Sequence, residues 1–207
     1  MASRSELYRA ADNIRAELFI KGSEPLVELA MAAYGSYGTE TYTAPFRTER
    51  ICALSSPGEP DVILLNRNKP EPVLRFAMAH ELIHTRLHRD IPCAFLIEDP
   101  LASRDPVLER EANDGAAELL LPWREIVPLM AEYRVSLGNN CYGAFCARIC
   151  AAKRVSRKVA EIRARELWHV MQVYIASRSF DKAEAALDDE PVAYTYGLNY
   201  ERVPVWR

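Results

Sequence analysis

Three of the four histidines in this chain lie within nine positions, in the stretch AMAHELIHTRLH at residues 77–88. His80, Glu81 and His84 form an H-E-x-x-H pattern there. Residues four apart share one face of a helix, so two imidazoles at this spacing can bind the same metal ion. Zinc accepts such nitrogens at about 2.0–2.1 Å. The pattern therefore predicts a helix that binds one zinc ion per chain.

Glu81 lies about one hundred degrees around that helix from His80, a position that suits a base better than a third ligand. A carboxylate there can accept a proton from a water molecule whose pKa zinc has lowered to about 7. The flanking residues Met78 and Leu82 predict a largely buried helix, in which imidazoles without an ion would be costly. An ordinary helix with solvated histidines is therefore the weaker interpretation, and Glu81 is the candidate catalytic residue.

A catalytic zinc site has three protein ligands and an open position for water. The remaining histidine, His169, lies far downstream, so acidic residues in VLEREANDGAAELLLP, residues 107–122, are better candidates for the third ligand. Glu111 lies on a predicted helix whose alanines pack inward, and Glu109 and Glu118 are rivals. Periodicity alone does not choose among the three glutamates.

Hydrophobic periodicity in the rest of the chain predicts a mainly helical α+β fold with a small β-sheet. The predicted helices cover residues 4–20, about 25–34, 73–88, 107–121, a segment from Pro122, and 142–176 with a break near RVS. TERICALSS and DVILLN predict two strands, YGSYGTETYTAP predicts turns, and the tail PVAYTYGLNYERVPVW predicts a small hairpin. We expect a metallopeptidase core at residues 1–135 and a helical segment with a short β-like tail at 136–207.

Composition excludes several classes of protein. The net charge of -3 gives no general reason to expect nucleic acid or an anionic membrane as the main partner. No stretch is as long as a transmembrane helix, and the charged N-terminal region lacks the apolar core of a signal peptide. We therefore expect a cytoplasmic protein with no membrane partner. Five cysteines, an odd number without a CxxC pair, favour free thiols and core packing over a metal cluster.

ARICAAKRVSRKVAEIRAREL, residues 147–167, is similar to a helix-turn-helix, with Ser156 as the cap of its second helix. Its basic residues are Arg148, Lys153, Arg154, Arg157, Lys158, Arg163 and Arg165. They predict either a surface for DNA or an acidic protein, or a solvated face balanced by FDKAEAALDDE downstream. We favour structural support or contact with a protein partner over direct binding of nucleic acid.

RFAMAHELIH at residues 75–84 and EANDGAAELLLP at 111–122 together resemble the two motifs of the ImmA/IrrE metallopeptidases. These are intracellular bacterial zinc proteases with a gluzincin-like core. The resemblance covers residues 61–122 and implies a zincin-like core followed by a helical segment. It implies zinc ligands at His80, His84 and Glu111, with Glu81 as the general base. Asn113 matches a motif position and is expected to support a ligand.

His88 continues the row of histidines but lies about 6 Å along the helix axis from His84. A supporting or surface role is therefore expected for it rather than ligation. Three residues depart from the family motifs: Ala77 replaces a threonine, Ile83 a glycine, and Gly115 a residue that is commonly aromatic. Either space opens beside the ligand helix or the local packing differs. None of these changes removes a ligand or the base.

The resemblance implies a zinc-dependent endopeptidase that cleaves a helix-turn-helix transcriptional repressor of the XRE type, derepressing stress, phage or mobile-element genes. The competing hypothesis is a regulatory or toxin-like binding module that sequesters a partner without proteolysis and uses zinc structurally. The intact Glu81 disfavours this, because a structural site needs no base. A DNA-binding regulator built on the basic helices is the weakest hypothesis.

Overall fold

A computed structural model describes residues 3–48, 50–89, 105–138 and 141–189. The strands are β1 (Glu40–Ala44), β2 (Ala53–Ser56) and β3 (Val62–Asn66). The helices are α1 (Arg4–Glu17), α2 (Leu26–Tyr37), α3 (Glu71–Leu87), α4 (Pro106–Leu120), α5 (Trp123–Leu137), α6 (Cys141–Lys153), α7 (Arg157–Glu166), α8 (Trp168–Ser177) and α9 (Phe180–Ala185). The predicted mainly helical α+β class with a small sheet is confirmed.

The sheet has the order β1-β3-β2, with β1 parallel and β2 antiparallel to the central strand β3. Ile63 and Leu65 of β3 are fully buried, as expected for an apolar run in a central strand. The prediction of turns was wrong for residues 40–44, which form β1. The side chains of β1 are half-buried or exposed, so the strand carries little hydrophobic signal, and its pairing with β3 holds it in place.

The histidine helix α3 begins after Pro70, has Pro72 in its first turn, and is followed by His88 at its C-terminal cap. Proline suits a first helical turn because its missing N–H would be unsatisfied there in any case. Leu74, Met78 and Leu82 are buried on the inner face of α3. This face packs against β2 and β3, and α3 also lies along α4. The helix is therefore a central element of the core.

α4 supplies the other side of the candidate site. Asp105 caps it by accepting a hydrogen bond from the Val107 amide at 2.8 Å, and Pro106 occupies its first turn. The helix ends at Leu120, and Pro122 precedes the first residue of α5. One side of α4 packs on α3 and the other on α1. The helix consequently presents polar residues to two different parts of the core.

The C-terminal helical run breaks near RVS, as predicted: Ser156 caps α7, its hydroxyl accepting a hydrogen bond from the Val159 amide at 3.3 Å. The run ends at Ser177, close to the predicted end at residue 176, but a further interruption at Leu167 and the helix α9 were not predicted. Arg178 has a φ of 52°, in the left-handed region that ends a helix. The predicted hairpin at 191–206 lies outside the described residues.

A buried arginine joins α3 to the C-terminal helices. The two Nη atoms of Arg75 donate to three backbone carbonyls: those of Lys153 at 2.5 Å, Arg154 at 2.6 Å and Gly22 at 2.9 Å. Arg75 is fully buried, so its charge must be satisfied by such acceptors. The turn between α6 and α7 is therefore fixed to the N-terminal end of the histidine helix.

A second buried arginine, Arg163 of α7, donates from Nε to the Leu121 carbonyl at 3.0 Å.

The predicted boundary between residues 135 and 136 falls inside α5. The division into segments 1–135 and 136–207 stays a prediction.

None of the described helices is long and apolar enough to cross a bilayer.

Candidate metal centre

His80, His84 and Glu109 direct one ligand atom each to a common point. The Nε2 atoms of His80 and His84 are 3.1 Å apart. The Glu109 carboxylate lies 3.1 Å from His84 Nε2 through Oε1 and 3.4 Å from His80 Nε2 through Oε2. One ligand atom from each of the three residues thus lies within 4.8 Å of the other two, between α3 and α4.

The separations between the two imidazole nitrogens and the Glu109 carboxylate are those of a zinc site. Ligand atoms bound tetrahedrally at about 2.0–2.1 Å are separated from one another by about 3.3 Å. Two imidazole nitrogens and a carboxylate oxygen are also the donor set of many catalytic zinc centres, which leave a fourth position open. His80, His84 and Glu109 therefore fit the predicted zinc ion in both geometry and chemistry.

His80 is oriented by Asn113 of α4. The Nδ1 atom of His80 lies 3.1 Å from the Asn113 Oδ1 atom. A carbonyl oxygen can only accept, so Nδ1 carries the hydrogen and Nε2 keeps a lone pair for an ion. Asn113 lies four residues after Glu109 and shares its face of α4. This helix thus supplies one candidate ligand and the support for another.

His84 is oriented by His88, whose Nδ1 atom lies 3.0 Å from His84 Nδ1. On its far side, His88 Nε2 is 3.3 Å from Glu111 Oε2. His88 is buried, and burial together with the neighbouring His84 lowers the pKa of His88 below its ordinary value. The ring is therefore neutral at neutral pH.

The structure brings Glu109, and not Glu111, to the two histidines. Glu109 and Glu111 are two residues apart on α4, about 200° around the helix, so they cannot face the same point. Glu111 contacts His88 instead. Glu118, the third candidate, is fully buried and pairs with Arg163. The sequence signal that favours Glu109 is its spacing of four from Asn113, which places both side chains on one face of α4.

Glu81 is 2% exposed and accepts a hydrogen bond from the Ser55 hydroxyl at 2.5 Å through Oε2. Ser55 belongs to β2, and its side chain is buried against α3. Sequence reasoning missed this residue. A polar residue at an inward position of a strand beside the histidine helix was the available signal.

The two departures from the family motifs at Ile83 and Gly115 are neighbours in space. A Cβ atom added at Gly115 would lie 3.0 Å from both Cδ1 and Cγ1 of Ile83. Ile83 thus fills, from α3, the space beside residue 115 of α4. Of the two alternatives left open by the sequence, the structure favours altered packing over an open space beside the site.

The basic residues of α6 and α7 are mostly engaged within the chain. Lys153 pairs with Glu125 at 2.6 Å, and Arg157 pairs with Glu161 at 2.8 Å. Arg163 is buried. Such pairing leaves less positive charge for the phosphates of a nucleic acid. Among the described cysteines, Cys141 and Cys146 are buried, in keeping with the predicted role in the core.

Comparison with known protein families decides the family. The model of the peptidase M78 family, described as the IrrE N-terminal-like domain, matches residues 35–165. The chain belongs to this family. The predicted relationship to the ImmA/IrrE metallopeptidases is confirmed, and membership of the M78 family implies a metallopeptidase. The M78 match extends from the end of α2 into α7, well beyond the two motifs. No curated protein matches the chain.

Proposed function

We propose that this M78 family member is a zinc-dependent endopeptidase, with His80, His84 and Glu109 as the metal ligands and Glu81 as the general base. The observation that carries the proposal is the convergence of two imidazole nitrogens and the Glu109 carboxylate, with contacts of 3.1–3.4 Å between them. Glu81 follows His80 directly on α3, which is the position of the general base in the H-E-x-x-H pattern. We expect this chemistry to take place in the cytoplasm.

A bound zinc ion would polarise the scissile carbonyl and lower the pKa of a water molecule. Glu81 accepts the proton of that water and delivers it to the leaving amine, which is general base and then general acid catalysis by one carboxylate. The Ser55 hydroxyl holds one oxygen of Glu81 on the side of β2. Asn113 and His88 hold the two imidazoles with Nε2 facing Glu109.

We propose a protein substrate, namely a helix-turn-helix repressor of the XRE type, whose cleavage would derepress stress, phage or mobile-element genes. The relationship to the ImmA/IrrE metallopeptidases supports this choice of substrate class. The internal pairing of the basic residues on α6 and α7 supports a protein partner over a nucleic acid.

The test uses Glu81→Gln as bait in a lysate of the host, because this variant keeps the ligands and loses the base. Each captured protein is then incubated with wild type, with Glu81→Gln, and with Glu132→Gln as a matched control at an exposed position. We expect one partner that wild type and Glu132→Gln shorten and Glu81→Gln leaves intact.

A partner that binds tightly and stays intact with all three proteins would contradict the proposal. That result would instead identify a module that sequesters its partner without proteolysis. Cleavage at the wild-type rate by Glu81→Gln would contradict only the assignment of Glu81 as the general base.

A further inference from the structure

We propose that Glu111 acts through His88 to fix the tautomer of His84, and thereby sets the affinity of the site for its metal. Glu111 and His88 are then positioning residues: they orient His84 and do not themselves bind the metal. The inference rests on the proposed function, since it assumes that His84 Nε2 binds the metal.

The three side chains form a continuous line of contacts. His84 uses Nε2 toward Glu109 and Nδ1 toward His88, and His88 uses Nε2 toward Glu111. The side chain of His88 is 4% exposed and that of Glu111 16% exposed. Water therefore competes little for the hydrogen bonds of His88, and the protein itself sets their direction.

The positions of the hydrogens follow from what each group can donate. A carboxylate only accepts, so His88 carries its hydrogen on Nε2 and points it at Glu111. The Nδ1 atom of His88 is then an acceptor. The facing Nδ1 of His84, 3.0 Å away, must donate to it. His84 consequently keeps a lone pair on Nε2, which is the atom that faces His80 and Glu109.

Without Glu111, the hydrogens of the two imidazoles can also take the opposite positions, and the hydrogen bond between the two Nδ1 atoms is kept. His88 would carry its hydrogen on Nδ1 and donate to His84 Nδ1, and His84 would carry its own hydrogen on Nε2. A protonated Nε2 has no lone pair for a metal. The carboxylate of Glu111 therefore selects the arrangement that can bind zinc.

The first experiment measures zinc affinity by competition with a chelator in wild type, Glu111→Leu and His88→Phe. Partners behind a metal-binding histidine are typically worth about 10–100-fold in affinity, and we expect losses of that order in both variants. His88→Gln, which can still donate and accept, should lie closest to wild type. The same changes at positions away from the site, Glu132→Leu and His169→Phe, serve as matched controls and should leave the affinity unchanged.

The second experiment observes the tautomer directly. Long-range proton–nitrogen correlation spectra of histidine-labelled, metal-free protein distinguish a hydrogen on Nδ1 from one on Nε2. The spectra are recorded in a Glu109→Ala background, because without a metal the Glu109 carboxylate, 3.1 Å from His84 Nε2, would itself accept a hydrogen from that atom. In this background we expect the Nδ1–H form at His84, and a shift toward the Nε2–H form when Glu111→Leu is added. If Glu111→Leu does not fold, His88→Phe and His88→Gln carry the same comparison.

An unchanged His84 tautomer together with zinc affinities within about twofold of wild type would overturn the proposed role of Glu111 and His88 and leave the proposed function intact. If wild type binds no zinc, the proposed function fails. The spectra then still decide whether Glu111 sets the tautomer of His84.

Discussion

The two sides of α4 hold two different buried polar clusters. On the side of α3, Glu109 and Asn113 meet the histidines. On the side of α1 and α7 lies a group that we call the ion cluster, formed by Tyr8, Glu118, Arg163 and Glu166. There Arg163 pairs with Glu118 and, at 3.0 Å, with Glu166. The Tyr8 hydroxyl accepts from Arg163 at 2.6 Å and donates to Glu166.

The clusters differ in where the positive charge comes from. In the ion cluster the chain supplies it, as a guanidinium that is 1% exposed and held between carboxylates. At the metal centre the converging atoms are imidazole nitrogens and carboxylate oxygens, which all offer electron pairs. Buried charges are paired or coordinate metals. The ion cluster therefore contains its own cation, whereas the candidate metal centre offers only atoms that could bind one.

Arg163→Met should have the largest effect on stability. The variant leaves two buried carboxylates without their cation, a change that typically costs about 3–5 kcal/mol. Urea unfolding of the metal-free protein measures the loss. Arg157→Met, which breaks an exposed pair with Glu161, is the control and should cause no measurable change. Equal effects of the two variants would refute the structural role of the ion cluster.

Zinc should stabilise the chain through the metal centre only. At a free concentration one hundred times its dissociation constant, we expect zinc to raise the free energy of unfolding of wild type by about 2.7 kcal/mol. His80→Ala should gain nothing, because it lacks a ligand. Thermal and urea unfolding with and without zinc provide the measurement. A full gain in His80→Ala would place the zinc ion elsewhere.

Gly115→Ala tests how tightly α3 and α4 pack against each other where Gly115 faces Ile83. The added Cβ would lie 3.0 Å from the Ile83 side chain, and overpacking of this kind costs about 1–3 kcal/mol. Ile83→Ala removes the atoms that the new methyl would meet. The double variant should therefore lose less than the two single variants together. Strict additivity in urea unfolding would show that the two residues do not share the space.

The effect of replacing Asp114, which interacts with Glu166 and Arg163 of the ion cluster, should depend on pH and be smallest in acid. Burial, and then the nearby Glu166, raise the pKa of Asp114 from 3.8 to about 8. Arg4, Arg163 and Arg110 oppose this shift.

From about pH 4 to pH 8 the folded chain keeps a proton on Asp114 that the unfolded chain has released. The contribution of this proton to stability therefore falls through that window and is lost above it. Asp114→Asn should resemble wild type near pH 4, become progressively the more stable protein as the pH rises to about 8, and keep a constant advantage above that pH in urea unfolding. A constant difference across the range would contradict the raised pKa.

The histidine helix was predictable because its signal is local. The spacing of His80 and His84 and the apolar flanks of α3 depend on one helix alone. The strand β1 was not predictable in the same way, because its side chains are largely exposed and its partner β3 lies far along the chain.

The third candidate ligand could not be predicted from the sequence for a different reason. Glu109 and Glu111 both lie near the start of α4, and the resemblance directed the prediction to the glutamate inside the motif. The choice depends on how α4 is rotated against α3, which a motif does not state. The contact between Ser55 and Glu81 joins a strand to a helix across 26 positions of sequence, so only the packed fold reveals it.

The assignment of the metal ligands is tested by zinc binding in wild type, Glu81→Gln and Glu109→Ala, measured by competition with a chelator together with the metal content of each protein. We expect one zinc ion per chain and equal affinity in wild type and Glu81→Gln, and a severe loss of affinity in Glu109→Ala. Wild-type affinity in Glu109→Ala, or loss of zinc in Glu81→Gln, would contradict that assignment.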